Sequence, residues 1–206
     1  MARIGLMGGT FDPVHYGHLF AAEEARERCG LETVYFIPCN LPPHKEVSDL
    51  TLAEDRFNMV HLATASNPSF CVSRVELERG GRSYTIDTVR EFRAGLGEQS
   101  EIYFITGADA IREIMTWRDN EELASLCRFV AVTRPGYELD DLKARLSLNL
   151  VQSIEMVHVR GLEISSTDIR RRVAEGRSIR YLTPPEVALY IANQGLYVNR
   201  PTTEGS

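Results

Sequence analysis

Short apolar runs alternate with longer amphipathic stretches from one end of the chain to the other. The runs Arg3–Met7, Val34–Pro38, Ile102–Thr106, Phe129–Thr133 and Ile154–Val159 are rich in Ile, Val, Phe or Tyr. They lack polar alternation, the pattern of parallel strands buried on both faces. Between them, Leu19, Ala22, Ala25 and Cys29 share one face of a helix from about Gly17 to a stop at Gly30. Leu52, Met59, Val60 and Ala63 do the same for a second helix, with Thr51 as its expected N-cap and Glu54 completing a capping box. Thr85–Leu96 and Thr167–Glu175 read as further helices. Thr183-Pro184-Pro185 opens a last one, with Val187, Tyr190 and Ile191 on one face and Gly195 as its stop. Strand–helix alternation at this spacing predicts right-handed crossovers and a mostly parallel sheet flanked by helices, an α/β doubly wound class. The stretches Cys39–Asp49, with Pro42-Pro43, and Val75–Ser83, with Gly80-Gly81, read as loops. Loops at the carboxyl ends of strands form the ligand site in open sheets of this class.

Composition narrows the function. The chain has 206 residues, is 43% hydrophobic and 25% charged, and carries a net charge of −6. That suits one globular domain, expected over 1–198, with a helical C-terminal part from about 165 and a flexible polar tail over 199–206. An acidic chain is poorly suited to coating nucleic acid or an anionic membrane, so neither partner is expected. No run approaches the ~18 apolar residues of a membrane span. The N-terminal apolar run is broken by glycines and Asp12, unlike a signal peptide. Cys29, Cys39, Cys71 and Cys127 are scattered without a C-x-x-C pair. They read as small buried hydrophobes in a reducing cytosol, and a cytoplasmic location is expected.

The chemistry concentrates at two predicted helix starts. The first strand runs into Gly8-Gly9, an Asp12-Pro13 turn, and then His15, Gly17 and His18. Glycines allow close backbone approach, and Gly17, between the two histidines, would leave room for something bulky. A helix start offers unpaired N–H groups and the positive end of a dipole, together an anion site. The pattern is neither G-x-G-x-x-G nor a P-loop. Zinc is not favoured, because His15 and His18 have no third ligand spaced nearby. A purely structural turn with two incidental histidines is the bland alternative. Late in the chain, Ser165, Ser166 and Thr167 are natural N-caps, and Arg170 one turn on can address the same anion. Arg171, Arg172 and Arg177 are adequately explained as a solvated basic face.

Gly8–His18 resembles the G-x-F-D-P-x-H-x-G-H signature of the nucleotidyltransferase superfamily, and Ile164–Arg170 resembles its I-S-S-T-x-I-R motif. Leu41-Pro42-Pro43-His44-Lys45, Tyr84–Thr88, Gly107-Ala108-Asp109, Thr116-Trp117 and Thr133–Gly136 are similar, in order, to bacterial nicotinate-nucleotide adenylyltransferases. The resemblance covers about residues 1–198 and implies a Rossmann-like nucleotidyltransferase fold. It also implies that ATP and nicotinate mononucleotide yield deamido-NAD and pyrophosphate, in NAD biosynthesis. In that reading His18 and His15 serve the α-phosphate and triphosphate, while Arg170 with Ser165, Ser166 and Thr167 holds the β- and γ-phosphates. Gly8, Gly9, Thr10, Phe11, Gly107 and Asp109 complete the ATP site. Trp117, otherwise a core filler, becomes a platform for the pyridine ring, and Thr85, otherwise an N-cap, lies near its carboxylate. His44, Lys45 and Arg134 remain either solvated loop residues or contacts to the mononucleotide. Mg²⁺ would travel with ATP, held by phosphates and water rather than by a protein cage. Another phosphate-ester acceptor, or a nucleotide sensor without turnover, stays open as an alternative, as does homo-oligomerisation.

Overall fold

The computed structural model describes residues 1–43, 50–97, 99–133, 146–159 and 163–198. His44, Lys45, Arg134, Arg160 and the tail 199–206 lie outside these described residues. Six strands form a wholly parallel sheet: β1 (Arg3–Gly9), β2 (Thr33–Pro38), β3 (Phe70–Val72), β4 (Glu101–Gly107), β5 (Arg128–Thr133) and β6 (Ile154–His158). Their spatial order is β3-β2-β1-β4-β5-β6, so the winding direction reverses between β1 and β4. Register is continuous through the centre, with Gly5 opposite Val34 on one side and Tyr103 on the other.

Helices cover both faces. On one lie α1 (Tyr16–Cys29), α2 (Ala53–Thr64), α8 (Ser166–Ala174) and α9 (Pro185–Asn193), around a core that includes Val34, Phe36, Met59, Ile105 and Ile169. The other carries α4 (Thr85–Leu96), α5 (Ala108–Arg112), α6 (Asn120–Leu126) and α7 (Leu148–Ser153), around Leu6, Ile37, Ile102 and Phe129. The helix α3 (Val75–Arg79) follows β3. Strands buried by two helical layers need apolar residues at every position, which is why their sequences lack alternation.

Several local expectations are corrected. Phe70–Val72 forms a strand where none is expected, because three residues are too short for periodicity to register. Val75–Arg79, expected as loop, forms a helical turn ended by Gly80 at φ 69°. Thr51 does not cap α2: Leu52 holds that position and is 74% exposed, off the predicted apolar face. The Thr51 N–H donates to Asp12 Oδ2 at 3.4 Å instead. Thr85 is the first residue of α4 rather than its N-cap, which is Tyr84. Cys29, Cys39 and Cys127 are buried, but Cys71 on the edge strand is exposed. The stop at Gly30 matches expectation, with φ 61° in the left-handed region that glycine enters without strain. No helix among the described residues is long and apolar enough to cross a membrane.

Candidate active site

The carboxyl ends of β1, β4 and β5 open into a cavity of about 730 Å³ at the point where the winding reverses. Met7 and Thr106 form its floor at the strand ends. His15, Gly17 and His18 line it from the start of α1, Gly107 and Asp109 from the start of α5, and Ser165 and Ser166 from the start of α8. Three helix N-termini therefore face one space, a strongly anion-attracting arrangement.

The two imidazoles are stacked, their centroids 3.7 Å apart and their planes inclined by 26°. The His15 backbone N–H donates to His18 Nδ1 at 3.3 Å. An Nδ1 that accepts cannot carry the proton, so neutral His18 holds its hydrogen on Nε2, ready to donate. Phe11 supports the same ring edge-on, at 5.1 Å between centroids. Burial pulls the His15 pKa down to about 4. Burial, and then the neighbouring His15, hold His18 well below its ordinary value too. Both rings are thus neutral donors at physiological pH. The room expected beside Gly17 is taken by His15 itself, since a Cβ there would meet the His15 ring at 3.0 Å. Gly8 and Gly9 are similarly packed, their missing Cβ atoms abutting Phe104 at 3.1 Å and Phe11 at 3.0 Å.

The loop joining β1 to α1 is held from the far end of the chain. Three consecutive carbonyls accept side-chain hydrogen bonds: Asp12 from Arg170 Nη1 at 2.7 Å, Pro13 from Ser166 Oγ at 2.8 Å, and Val14 from Thr183 Oγ1 at 2.8 Å. The Tyr16 N–H adds a bond to the Leu182 carbonyl at 3.1 Å. Ser165 caps α8 as expected, its Oγ accepting from the Asp168 N–H at 3.1 Å. Arg171 and Arg172 pair with Asp168, and Arg177 with Glu175, which fits the solvated basic face. Arg170 alone of these turns towards the first motif.

Trp117 and Thr85 lie elsewhere, on the α4–α6 face of the sheet. Trp117 is half-buried and meets Phe104 and Phe129 edge-on at 5.9 and 6.0 Å. It packs partly as a core residue while keeping some exposure. Arg118 lies over the Tyr84 ring at 5.0 Å and 3.9 Å from Asp87, drawing the Trp117 segment to the start of α4. Gly8, Gly9, Thr10, Phe11, Thr167 and Arg170 do not line the cavity. Thr10 offers its carbonyl to Arg56, and Thr167 Oγ1 lies 3.4 Å from Arg170 Nη2. Arg56 carries no motif, and for Arg56, Thr183 and Tyr197 alike only long-range contacts reveal the part each plays. Among the described residues, no three His, Cys, Asp or Glu side chains gather as a metal cage.

A family model described as cytidylyltransferase-like matches residues 6–172. A probable nicotinate-nucleotide adenylyltransferase from Moorella thermoacetica is 51% identical over 98% of this chain and 94% of its own length. One from Frankia alni is 52% identical over 94% of this chain and 100% of its own. Among solved structures, Plasmodium falciparum nicotinic acid mononucleotide adenylyltransferase complexed with NaAD superposes with a TM-score of 0.78 at 20% identity, covering 96% of this chain and 98% of that one. Two motif loops joined at one cleft, on a scaffold shared almost end to end with these relatives, place the chain in the nicotinate-nucleotide adenylyltransferase family of cytidylyltransferase-like proteins.

Proposed function

We propose that this chain transfers the adenylyl group of ATP to nicotinate mononucleotide, giving deamido-NAD and pyrophosphate in NAD biosynthesis. The observation that carries the reading is the His18 ring, fixed by the His15 N–H with its Nε2 proton free, in a cleft ringed by three helix starts. An oxygen of the mononucleotide phosphate attacks the α-phosphorus of ATP. The bond from that phosphorus to the bridging oxygen breaks, and pyrophosphate leaves with the electron pair. The attacking group is already an anion, so no strong base is needed, only positioning and charge dispersal.

In this reading His18 donates to the α-phosphate, and His15 supports the triphosphate. The Ser166 and Thr167 amides at the start of α8, ahead of the Asp168 N–H that Ser165 caps, receive the terminal phosphates together with the side chains of Ser165, Ser166, Thr167 and Arg170. Gly107 and Asp109, which line the cavity, are assigned to the ribose hydroxyls of ATP. Trp117 and Thr85 take the pyridine ring and its carboxylate, and His44, Lys45 and Arg134 are offered as contacts to the mononucleotide. The donor set of the cleft, imidazoles and hydroxyls with Asp109, fits an ion that arrives on phosphates. A divalent metal, Mg²⁺ in our reading, would be held mainly by the phosphates and water beside these residues and would supply charge neutralisation there. One nucleotidyltransferase domain over 1–198, a cytoplasmic location, and no nucleic-acid or membrane partner belong to the same proposal.

Pyrophosphate release from MgATP, with nicotinate mononucleotide, nicotinamide mononucleotide and phosphopantetheine offered separately, tests it. Preference for the first is expected. Preference for another acceptor overturns the substrate, and ATP binding without turnover would make the chain a sensor.

A further inference from the structure

One guanidinium joins the segments that follow two neighbouring strands, β1 and β2. Arg56, in the first turn of α2, is the largest of the fully buried side chains, at 1% exposure. Its Nε donates to the Thr51 carbonyl at 3.0 Å, its Nη1 to the Thr10 carbonyl at 2.8 Å, and its Nη2 to the Asn40 carbonyl at 2.9 Å. Cys39 Sγ lies 3.7 Å from Nη1. Burying a guanidinium is costly, and a hydrophobic residue of similar size would fill the space at lower cost. Arg suits this position because its rigid fork can satisfy carbonyls in several directions at once.

Two of those carbonyls belong to segments with separate tasks. Thr10 leads into the loop that carries His15 and His18. Asn40 leads into the segment from Leu41 onward, and it is itself fastened to the start of α4. The Asn40 N–H donates to Ser83 Oγ at 3.0 Å, the Asn40 side chain to the Gly81 carbonyl at 3.0 Å, and the Ser83 N–H to the Leu41 carbonyl at 2.8 Å. Thr85 follows two residues later. The β1–β2 ladder ends at the bond from the Cys39 N–H to the Gly9 carbonyl at 2.9 Å, and beyond it Arg56 is a side-chain link between the loop read as phosphate-binding and the frame read as holding the pyridine ring.

We infer that Arg56 is a positioning residue for adenylyl transfer, setting the offset between the donor loop at Thr10 and the acceptor frame at Asn40. The inference rests on the proposed assignment of those loops to the two substrates. Transfer needs the attacking oxygen within about 3–3.5 Å of phosphorus, and a displacement of ~1 Å can cost on the order of 10²-fold. Lysine keeps the charge and three donors, but they radiate from one atom and lack the span of the planar fork.

The test compares Arg56→Lys and Arg56→Met with the parent. Turnover and both KM values are measured below the melting point of each variant, and ATP affinity is measured by calorimetry. The expected result is a fall in kcat of about 10²-fold in both variants, with ATP affinity changed by less than about threefold. A merely structural role would lower the melting point and leave kcat of the folded fraction within about threefold of the parent, and that result overturns the inference. Should neither variant fold, Ser83→Ala breaks the next link at a smaller cost. Lowered kcat with unchanged ATP affinity is then expected, and unchanged kcat overturns the inference. The parent is assayed with each acceptor first, so a wrong acceptor is recognised independently, and the variants are compared on whichever one it uses.

Discussion

The Tyr197 hydroxyl donates to Asp12 Oδ1 at 2.7 Å, across 185 positions of sequence. Both side chains are buried, each 3% exposed, and the contact fastens the turn of the first motif to the segment after α9. Tyr197→Phe deletes the donor to this buried carboxylate, along with the longer contact of the hydroxyl to Met59 Sδ at 4.0 Å. A loss of about 1.5–3 kcal/mol in unfolding free energy is expected, as for hydrogen bonds to charged groups. Denaturant titration measures it, and an unchanged midpoint would show that Asp12 is held adequately without Tyr197.

His18→Ala removes the Nε2 donor while leaving the cleft walls in place. Turnover should fall by on the order of 10²–10⁴-fold, the scale of losing a positioned donor at a transition state. Circular dichroism should be unchanged. Near-normal turnover would remove His18 from the mechanism.

Trp117→Ala separates platform from filler. Trp117 lies on the α4–α6 face, away from the cavity between α1 and α8. The affinity for nicotinate mononucleotide should therefore fall far more than that for ATP when each is measured by calorimetry. Equal losses would make Trp117 a packing residue, acting through Phe104 and Phe129.

The buried histidines fix the sign of the pH dependence. His15 titrates near 4 in the folded protein because burial disfavours its charge, against an ordinary 6.5 in the unfolded chain. Between these values the unfolded state binds more protons, so stability is full above pH 6.5 and declines as pH falls towards 4. The slope in that window is up to about 1 kcal/mol per pH unit for this one group. Melting points between pH 4 and 7 measure it. Burial, and then the neighbouring His15, hold His18 well below its ordinary value, so it is neutral at pH 7 and above, and kcat at saturating substrates should not fall between about pH 7 and 8, as it would if an imidazolium were required.

Most of the sheet was legible because strands covered on both faces write their burial directly into sequence, as at Val34–Pro38 and Phe129–Thr133. The start of α8 was legible through Ser165, whose cap is local. What escaped was governed by distant partners. Thr51 has the local chemistry of an N-cap, but its N–H goes to Asp12 and its carbonyl to Arg56. Ser166 and Arg170 read only as phosphate ligands, and their bonds to the carbonyls of Pro13 and Asp12, more than 150 positions away, are a further tie that their neighbours in sequence do not announce. Gly17 reads as space for a ligand, and His15 occupies it. No window of neighbouring residues contains these relations, so only the folded chain displays them.

The three carbonyls of Asp12, Pro13 and Val14 also bear on the order of events during synthesis. The segment bearing His15 and His18 leaves the ribosome early, but the side chains that fix it come from Ser166, Arg170 and Thr183. A nascent chain that has reached β5 has most of its strands and still lacks an ordered first motif. Such long-range closure is the slow part of folding. It also makes the chemistry sensitive to local opening: release of α8 and the Thr183 segment from that loop would silence the enzyme while the strands stayed paired.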